Sequence, residues 1–183
     1  MNIKNEKKID GLIKKAQEGD TNSFGEIYDI YLNNIYQFIF YKVTHKEIAE
    51  DLTEESFFKA WVNLKKYKKQ SCPFSSWLYR ISNNTVIDYL RKEKIKTEEL
   101  MDEMPDKNMS AKKDAEQYYN QKLLKKALSK LPNTQKEVII LKYINELKNK
   151  EIALILKKSD TAVRILISRA LKKLKEIMKN IEI

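Results

Sequence analysis

Residues 149–179 read NKEIALILKKSDTAVRILISRALKKLKEIMK, and the fold of the C-terminal part of the chain can be predicted from them. Its apolar residues recur at intervals of three and four, which places them on one face of an α-helix. The pattern is interrupted at residues 157–159, where Ser159 has the side chain of a helix N-cap. We therefore predict two helices, 149–156 and 160–179, joined by a short turn.

Two helices joined by so short a turn are typical of a helix-turn-helix, whose second helix enters the major groove of DNA. One apolar stripe of that second helix faces the core. It comprises Val163, Ile167, Ala170, Leu171, Leu174 and Met178. Ile165 lies on the other side, where it either contacts a thymine methyl group or is an isolated exposed aliphatic residue. Arg169 contacts either a guanine edge or a phosphate.

The same helical period runs through the rest of the chain. Only three glycines and three prolines are present among 183 residues, whereas 42% of the residues are hydrophobic. This composition disfavours turn-rich β structure and predicts an all-α protein with compact cores. A second helix is expected to be capped by Asp20, Thr21 or Asn22 and to carry apolar residues from Phe24 to Ile39. The other expected helices are 9–17, 46–64, 74–92, 118–131 and 135–143. A basic loop is expected at 65–73.

Residues 93–115 differ from both flanks because they are acidic, rich in methionine and interrupted by Pro105. We interpret them as a flexible linker between two small helical domains, 1–92 and 116–183. The second domain holds 16 Lys and Arg against 7 Asp and Glu, which is a net charge of +9 out of +10 for the chain. A polyanionic partner would explain this charge, and so would a lysine-rich bias that produces solvated faces.

Several functional classes are disfavoured. Cys72 is the only cysteine and His45 the only histidine, so neither an internal disulfide nor a Cys/His metal site is expected. No nucleophile–base pair or glycine-rich phosphate loop is visible, and no catalytic residue, metal or cofactor is predicted. Apolar runs such as Val138–Leu141 are too short to span a bilayer, and nothing resembles a signal peptide. We expect a cytoplasmic protein without direct membrane contact.

Aromatic residues lie in and just after the basic loop, at Tyr67, Phe74, Trp77 and Tyr79. Rings beside lysines can stack on unpaired bases while the lysines bind the phosphate backbone. The alternative is that Trp77 belongs to the core. Together with the helix-turn-helix, this loop favours a protein that contacts DNA through two regions.

Four segments, in this order along the chain, resemble the extracytoplasmic-function sigma factors of bacterial RNA polymerase, a group of the sigma-70 family. Gln17-x-Gly19-Asp20 resembles their opening, and AEDLTEESFFKAW at 49–61 is similar to their second-helix signature. FSSWLYRISNN and DYLR, within residues 74–91, resemble their promoter-melting helix. Leu131-Pro132 and Glu151-Ile152-Ala153 resemble their C-terminal DNA-binding domain.

The resemblance implies that residues 1–92 form sigma region 2 and residues 116–183 form sigma region 4. It also implies binding to the clamp and flap of core polymerase, to promoter DNA and to an anti-sigma factor. The clamp would be contacted by Asp51, Glu54, Glu55, Phe58 and Trp61. The −10 element would be bound and melted by Lys65, Lys66, Tyr67, Lys68, Lys69, Trp77, Arg80, Asn84, Asp88 and Arg91. The −35 element would be read by Ser159, Thr161, Arg164, Ile165, Ser168, Arg169 and Lys172.

The chain departs from the family pattern around the helix-turn-helix. Lys157 stands where the family commonly has glycine, the residue that most easily adopts a left-handed conformation. Ile165 and Leu166 stand where Ser and Arg are usual, and Lys148 replaces the usual Ser or Thr cap, which leaves Asn149 as a substitute cap. These departures leave the −35 sequence open.

Two rival functions remain. A stand-alone helix-turn-helix regulator would bind duplex DNA without polymerase, and it leaves the acidic helix 49–61 unexplained. A helical interaction or scaffold protein would carry its lysines incidentally and would show no salt-dependent affinity for DNA.

Overall fold

The computed structural model describes residues 3–99 and 123–180, and within these ranges all regular structure is helical, as the sequence predicts. The helices are α1 (Ile3–Gln17), α2 (Thr21–Val43), α3 (Lys46–Asn63), α4 (Phe74–Glu99), α5 (123–129), α6 (Asn133–Ile139), α7 (Asn149–Leu156) and α8 (Asp160–Lys179). A 3-10 turn at Leu64–Lys66 follows α3, and a π-helical turn at Ile140–Ile144 follows α6.

Helices α1–α4 form an N-terminal unit in which α2 contacts the other three. Asp20 caps α2, as one of the sequence alternatives has it. Its carboxylate accepts hydrogen bonds from the Ser23 hydroxyl at 2.7 Å and from the Asn22 backbone N–H at 3.0 Å. These bonds hold the pKa of Asp20 below its usual range, the Ser23 hydroxyl contributing most. Gly19, with φ of +105°, makes the left-handed turn that separates α1 from α2.

Aromatic rings dominate the core of this unit. Phe24 packs on Trp61 with ring centroids 4.8 Å apart, and Tyr28 packs on Phe57 at 4.6 Å. These pairs join α2 to α3, and a T-shaped contact between Phe38 and Tyr79 joins α2 to α4. Large rings supply much buried area per residue, which suits a unit of this size.

Helices α5–α8 form a C-terminal unit, in which α6 and α7 pack against α8. Ser159 is the N-cap of α8, as predicted, and its Oγ accepts a hydrogen bond from the Ala162 backbone N–H at 3.1 Å. Val163 and Ala170 are fully buried on the predicted stripe. Leu171 was expected there too but is 40% exposed, and Ile177 packs against the core instead.

Some predicted boundaries were wrong. Helix α1 begins at Ile3, six residues before the predicted start, and α4 continues through Glu99 into the segment interpreted as linker. Residues 100–115 of that segment lie outside the described residues. Helix α6 begins at Asn133 without a side-chain cap, so neither Asn133 nor Thr134 caps it. The predicted helix 135–143 becomes the π-helical turn from Ile140 onward.

The two units pack against each other. Helix α4 contacts α7, and α2 contacts the π-helical turn. Lys42 of α2 forms an ion pair with Glu137 of α6 at 2.8 Å, and the Asn145 side-chain amide donates to the Asn34 carbonyl at 2.9 Å. The Lys125 ammonium lies 4.0 Å from the centroid of the Phe40 ring. This contact surface is therefore polar as well as apolar.

Candidate polymerase and promoter interfaces

An acidic and apolar surface runs along the outer side of α3. Asp51, Glu54 and Glu55 are exposed on it. Phe58 is 67% exposed and Trp61 is half-buried. A cavity of about 260 Å³ opens beside these rings and is lined by Thr21, Phe24, Phe57, Phe58 and Trp61. The five residues expected to bind polymerase thus form one surface, which we call the α3 surface.

Sequence reasoning missed one member of the α3 surface. Val62 follows Phe58 by one helical turn and is 59% exposed. The signal was available, because residues four apart share a face of a helix. A large exposed aliphatic residue beside an exposed ring gains nothing from the chain's own fold, and such neighbours mark binding surfaces.

The basic loop between α3 and α4 exposes its lysines and buries its tyrosine. Lys65, Lys66, Lys68 and Lys69 are exposed, and Lys69 pairs with Asp10 of α1. Tyr67, which was expected to contact DNA, is only 7% exposed. Its hydroxyl donates to the Cys72 carbonyl at 3.0 Å, and burial raises its pKa to about 12. In this arrangement Tyr67 shapes the loop instead of offering a free ring for stacking.

Trp77 is held between two other rings. Its centroid lies 5.1 Å from that of Tyr67 and 5.4 Å from that of Phe74. Phe74 and Tyr79 are buried, whereas Trp77 remains half-buried. Of the aromatic residues singled out in the sequence, Trp77 therefore keeps part of its ring at the surface. One side of the ring packs in the core, as one sequence interpretation has it, and the exposed part is what the other interpretation, stacking on a base, would require.

A polar stripe leads away from Trp77 along α4. Arg80 is half-buried, and Asn84, Asp88 and Arg91 are exposed. Successive steps of three or four residues place all of them on one face. Asp88 and Arg91 lie 4.0 Å apart, so their charges partly compensate each other. Two apolar residues of this helix, Ile87 and Leu90, are exposed as well.

The outer face of α8 carries the residues expected to read duplex DNA, and all of them are exposed. They are Ser159, Thr161, Arg164, Ile165, Ser168, Arg169 and Lys172. Ile165 is 47% exposed. Arg164 is oriented by Asp160, whose carboxylate accepts a hydrogen bond from Nε at 2.8 Å. Although the two units pack together, the polar face of α8 stays in contact with solvent.

The turn between α7 and α8 adopts the geometry for which the family commonly uses glycine. Lys157 has φ of 53° and ψ of 45°, in the left-handed region. The start of α7 differs from expectation. Asn149 does not cap it, because its Oδ1 is buried and has no hydrogen-bond partner among the described residues. Glu151 reaches back instead, and its carboxylate accepts from the Lys148 backbone N–H at 2.9 Å.

A second cavity, of about 350 Å³, lies between the two units. Its walls come from α1, α2, the basic loop, the start of α4 and the start of α7. Its lining includes Ile9, Asp10, Tyr31, Tyr67, Lys69, Pro73, Phe74, Ser75, Lys148 and Glu151. Lys148 and Glu151 belong to the C-terminal unit, so one wall of this cavity depends on how the units pack.

Over residues 3–99 and 123–180, no group of three or more His, Cys, Asp or Glu could hold a metal ion. Cys72 is a buried free thiol. Within the same described ranges, no helix combines the length and apolar character that a bilayer crossing requires.

Two family models match this chain, one in its N-terminal part and one in its C-terminal part. A family model for sigma-70 region 2 matches residues 27–95, and one for sigma-70, region 4 matches residues 121–174. The chain is 32% identical over 160 residues to the ECF RNA polymerase sigma factor SigW of Bacillus subtilis, covering 79% of this chain and 82% of SigW. It is 30% identical over 154 residues to SigM of the same organism, covering 83% and 93%. With BldN of Streptomyces coelicolor it shares 30% identity over 170 residues, covering 91% of this chain and 64% of BldN.

Solved structures show the same fold. CnrH, in complex with the cytosolic domain of CnrY, is similar with a TM-score of 0.73 at 24% identity, covering 92% of this chain and 96% of that one. The sigma factor RpoE from Bartonella quintana, in complex with the anti-sigma factor NepR, gives 0.69 at 22% identity, covering 85% and 96%. The two region models match in the order in which the family has these regions, and the relatives are matched over most of their length. Both findings identify the same family. The chain belongs to the extracytoplasmic-function group of the sigma-70 family of RNA polymerase sigma factors.

Proposed function

We propose that this protein binds core RNA polymerase, recognises a two-part promoter and melts the −10 element, while catalysis stays with the polymerase. The observation that carries the proposal is the exposure, on one chain, of the α3 surface, the polar stripe of α4 and the outer face of α8. A stand-alone regulator needs the α8 face alone. The exposed Phe58 and its acidic neighbours have no role in that rival function.

The α3 surface is the proposed contact with the polymerase clamp. Exposed carboxylates at Asp51, Glu54 and Glu55 give it electrostatic selectivity for a basic partner, and charges at an interface chiefly determine specificity and association rate. Phe58 and Trp61 beside a cavity provide the apolar centre that a stable interface needs. The proposed contact is thus an aromatic anchor with an acidic rim.

The basic loop and the α4 stripe are the proposed −10 site. Extruding a base from a duplex costs about a few kcal/mol, which must be offset by stacking and hydrogen bonds in the site. The half-buried ring of Trp77 supports stacking, and the four exposed lysines of the loop support backbone binding. Asn84 and Arg91 offer side-chain amide and guanidinium groups to neighbouring bases or phosphates.

The α8 face is the proposed −35 site. Its arginines and Lys172 give phosphate and guanine contacts, and Ile165 suits a thymine methyl group. Elements named −10 and −35 lie about 25 base pairs apart, or about 85 Å along B-DNA. A compact chain of 183 residues has a radius of gyration of about 16 Å. The two units must therefore separate before both elements are bound.

Two further parts of the proposal concern partners and place. We propose an anti-sigma factor as a regulatory partner, since the similar sigma factor RpoE was solved in complex with the anti-sigma factor NepR. We also propose a cytoplasmic location, because the proposed activity requires binding to RNA polymerase. No bound cofactor has a part in the proposed activity.

Run-off transcription with purified core polymerase tests the proposal. Templates are upstream regions from the genome that encodes this protein, transcribed with and without it. Specific transcripts that depend on the protein are expected. If no template gives one, while the protein binds duplex DNA and fails to retain polymerase subunits in a pull-down, the stand-alone regulator is the better reading. A DNA affinity that falls with rising salt distinguishes the sigma factor and the stand-alone regulator from a scaffold protein, which would show no such dependence.

A further inference from the structure

One glutamine joins the first helix to the basic loop. Gln17 is the last residue of α1, and its side-chain amide donates hydrogen bonds to the Leu64 carbonyl at 2.9 Å and to the Tyr67 carbonyl at 3.0 Å. The acceptors are 47 and 50 residues away in sequence. Both lie where α3 has ended and the loop begins. The Leu64 carbonyl also accepts the Tyr67 backbone N–H, so Gln17 supplies a second donor to that carbonyl and one donor to the Tyr67 carbonyl.

Beyond that point the described loop is held by few other contacts, one of which is the ion pair of Lys69 with Asp10 of α1. Two backbone hydrogen bonds are described in the loop. One runs from the Tyr67 N–H to the Leu64 carbonyl, and the other from the Ser71 N–H to the Lys68 carbonyl. The Tyr67 hydroxyl ties the loop to itself at the Cys72 carbonyl. Fixing Tyr67 at its carbonyl therefore fixes the ring packed against Trp77, and with it the start of α4.

We propose that Gln17 is a positioning residue for promoter melting. It holds the entry of the basic loop so that Trp77 and the loop lysines meet an extruded base without first being ordered. A site that is already ordered binds more tightly, because less conformational entropy is lost on binding. This inference rests on the proposed function of the loop. Gln17 itself does not contact DNA in this scheme.

The test compares duplex and pre-melted templates. A template that wild-type protein transcribes is chosen first, and a second version carries mismatches that keep its −10 element open. Gln17→Glu keeps the side-chain shape but removes the donors and points a carboxylate at two carbonyls. Gln17→Lys restores a donor. The matched control is Gln37→Glu, which makes the same substitution at a half-buried glutamine within α2.

Gln17→Glu is expected to lower initiation on the duplex template about tenfold, the effect of losing two neutral hydrogen bonds of ordinary net strength. Initiation on the pre-melted template and core binding should stay near those of wild type, and the thermal midpoint should fall by no more than about 5 °C, the shift that this loss of native-state energy predicts. Gln17→Lys should recover much of the duplex activity, and Gln37→Glu should retain it.

Equal losses on both templates, or a loss that follows thermal stability, would overturn the positioning role. So would unchanged initiation on the duplex template. These results differ from failure of the proposed function, in which wild-type protein itself directs no initiation on any template.

Discussion

The ion pair between the two units offers the sharpest test of how they are held together. Lys42 and Glu137 are 2.8 Å apart, and their side chains are only 11% and 12% exposed. The Asn83 side-chain oxygen accepts a second hydrogen bond from Lys42, and the Lys136 ammonium donates to the Lys42 carbonyl. We choose Glu137→Leu, which leaves the Lys42 ammonium inside the contact without its counter-charge.

The magnitude follows from two opposing terms. At 2.8 Å and an effective dielectric constant of 20, the attraction is about 6 kcal/mol. Burial nevertheless lowers the pKa of Lys42 despite the pairing with Glu137, so desolvation of the ammonium outweighs that attraction. Removing Glu137 alone leaves the desolvation uncompensated, and such changes cost about 3–5 kcal/mol. Removing both charges with Glu137→Leu and Lys42→Met should restore stability to within about 1 kcal/mol of wild type.

The lost energy belongs to the contact between the units, since each charge comes from a different unit. A cost of 3 kcal/mol raises the ratio of separated to packed molecules by more than about 100-fold. Small-angle scattering should show a larger radius of gyration for Glu137→Leu, and urea unfolding should show an earlier transition. Glu26→Leu, which breaks the exposed pair with Lys8, is the control and should change stability by less than about 1 kcal/mol. If the double variant is as unstable as Glu137→Leu, the desolvation argument is wrong.

Three further predictions concern the other surfaces. Lys157→Gly should stabilise the C-terminal unit by up to about 1 kcal/mol, because glycine carries no side-chain penalty in the left-handed region, and a thermal midpoint that falls would contradict this. Asp51→Lys combined with Glu54→Lys should abolish retention of core polymerase in a pull-down while circular dichroism stays unchanged, whereas undiminished retention would remove the α3 surface from the interface. Arg169→Ala should weaken binding of −35 duplex DNA by about 1–3 kcal/mol if it reads a guanine. A uniform loss across sequences, measured by fluorescence anisotropy, would mark Arg169 as a phosphate contact.

Local signals predicted the helix-turn-helix well. Both α7 and α8 have the predicted bounds, because the helical period and the Ser159 cap act within a few residues. The end of α4 was missed because the linker was inferred from charge and from Pro105. Residues 93–99 read EKIKTEE, whose intrinsic helix propensity is good, and Pro105 comes six residues later.

Tertiary contacts were beyond the reach of sequence reasoning. The burial of Tyr67 depends on Phe74 and Trp77, which fold back over it. Lys42 and Glu137 are 95 residues apart, and nothing near either residue indicates its partner. The consecutive aliphatic residues at 138–141 are buried on all sides, so they carried no period from which the π-helical turn could be predicted.

The length of α4 determines how far apart the two units can move. As helix, residues 93–99 advance the chain by about 10 Å, less than half of what an extended segment of that length would give. Residues 100–122 then bridge the units, and 23 residues reach at most about 80 Å. The helical extension of α4 to Glu99 also fixes the point and direction from which the chain leaves the N-terminal unit. Spacer lengths in promoter DNA that the protein tolerates should therefore change when one helical turn is deleted after Arg91.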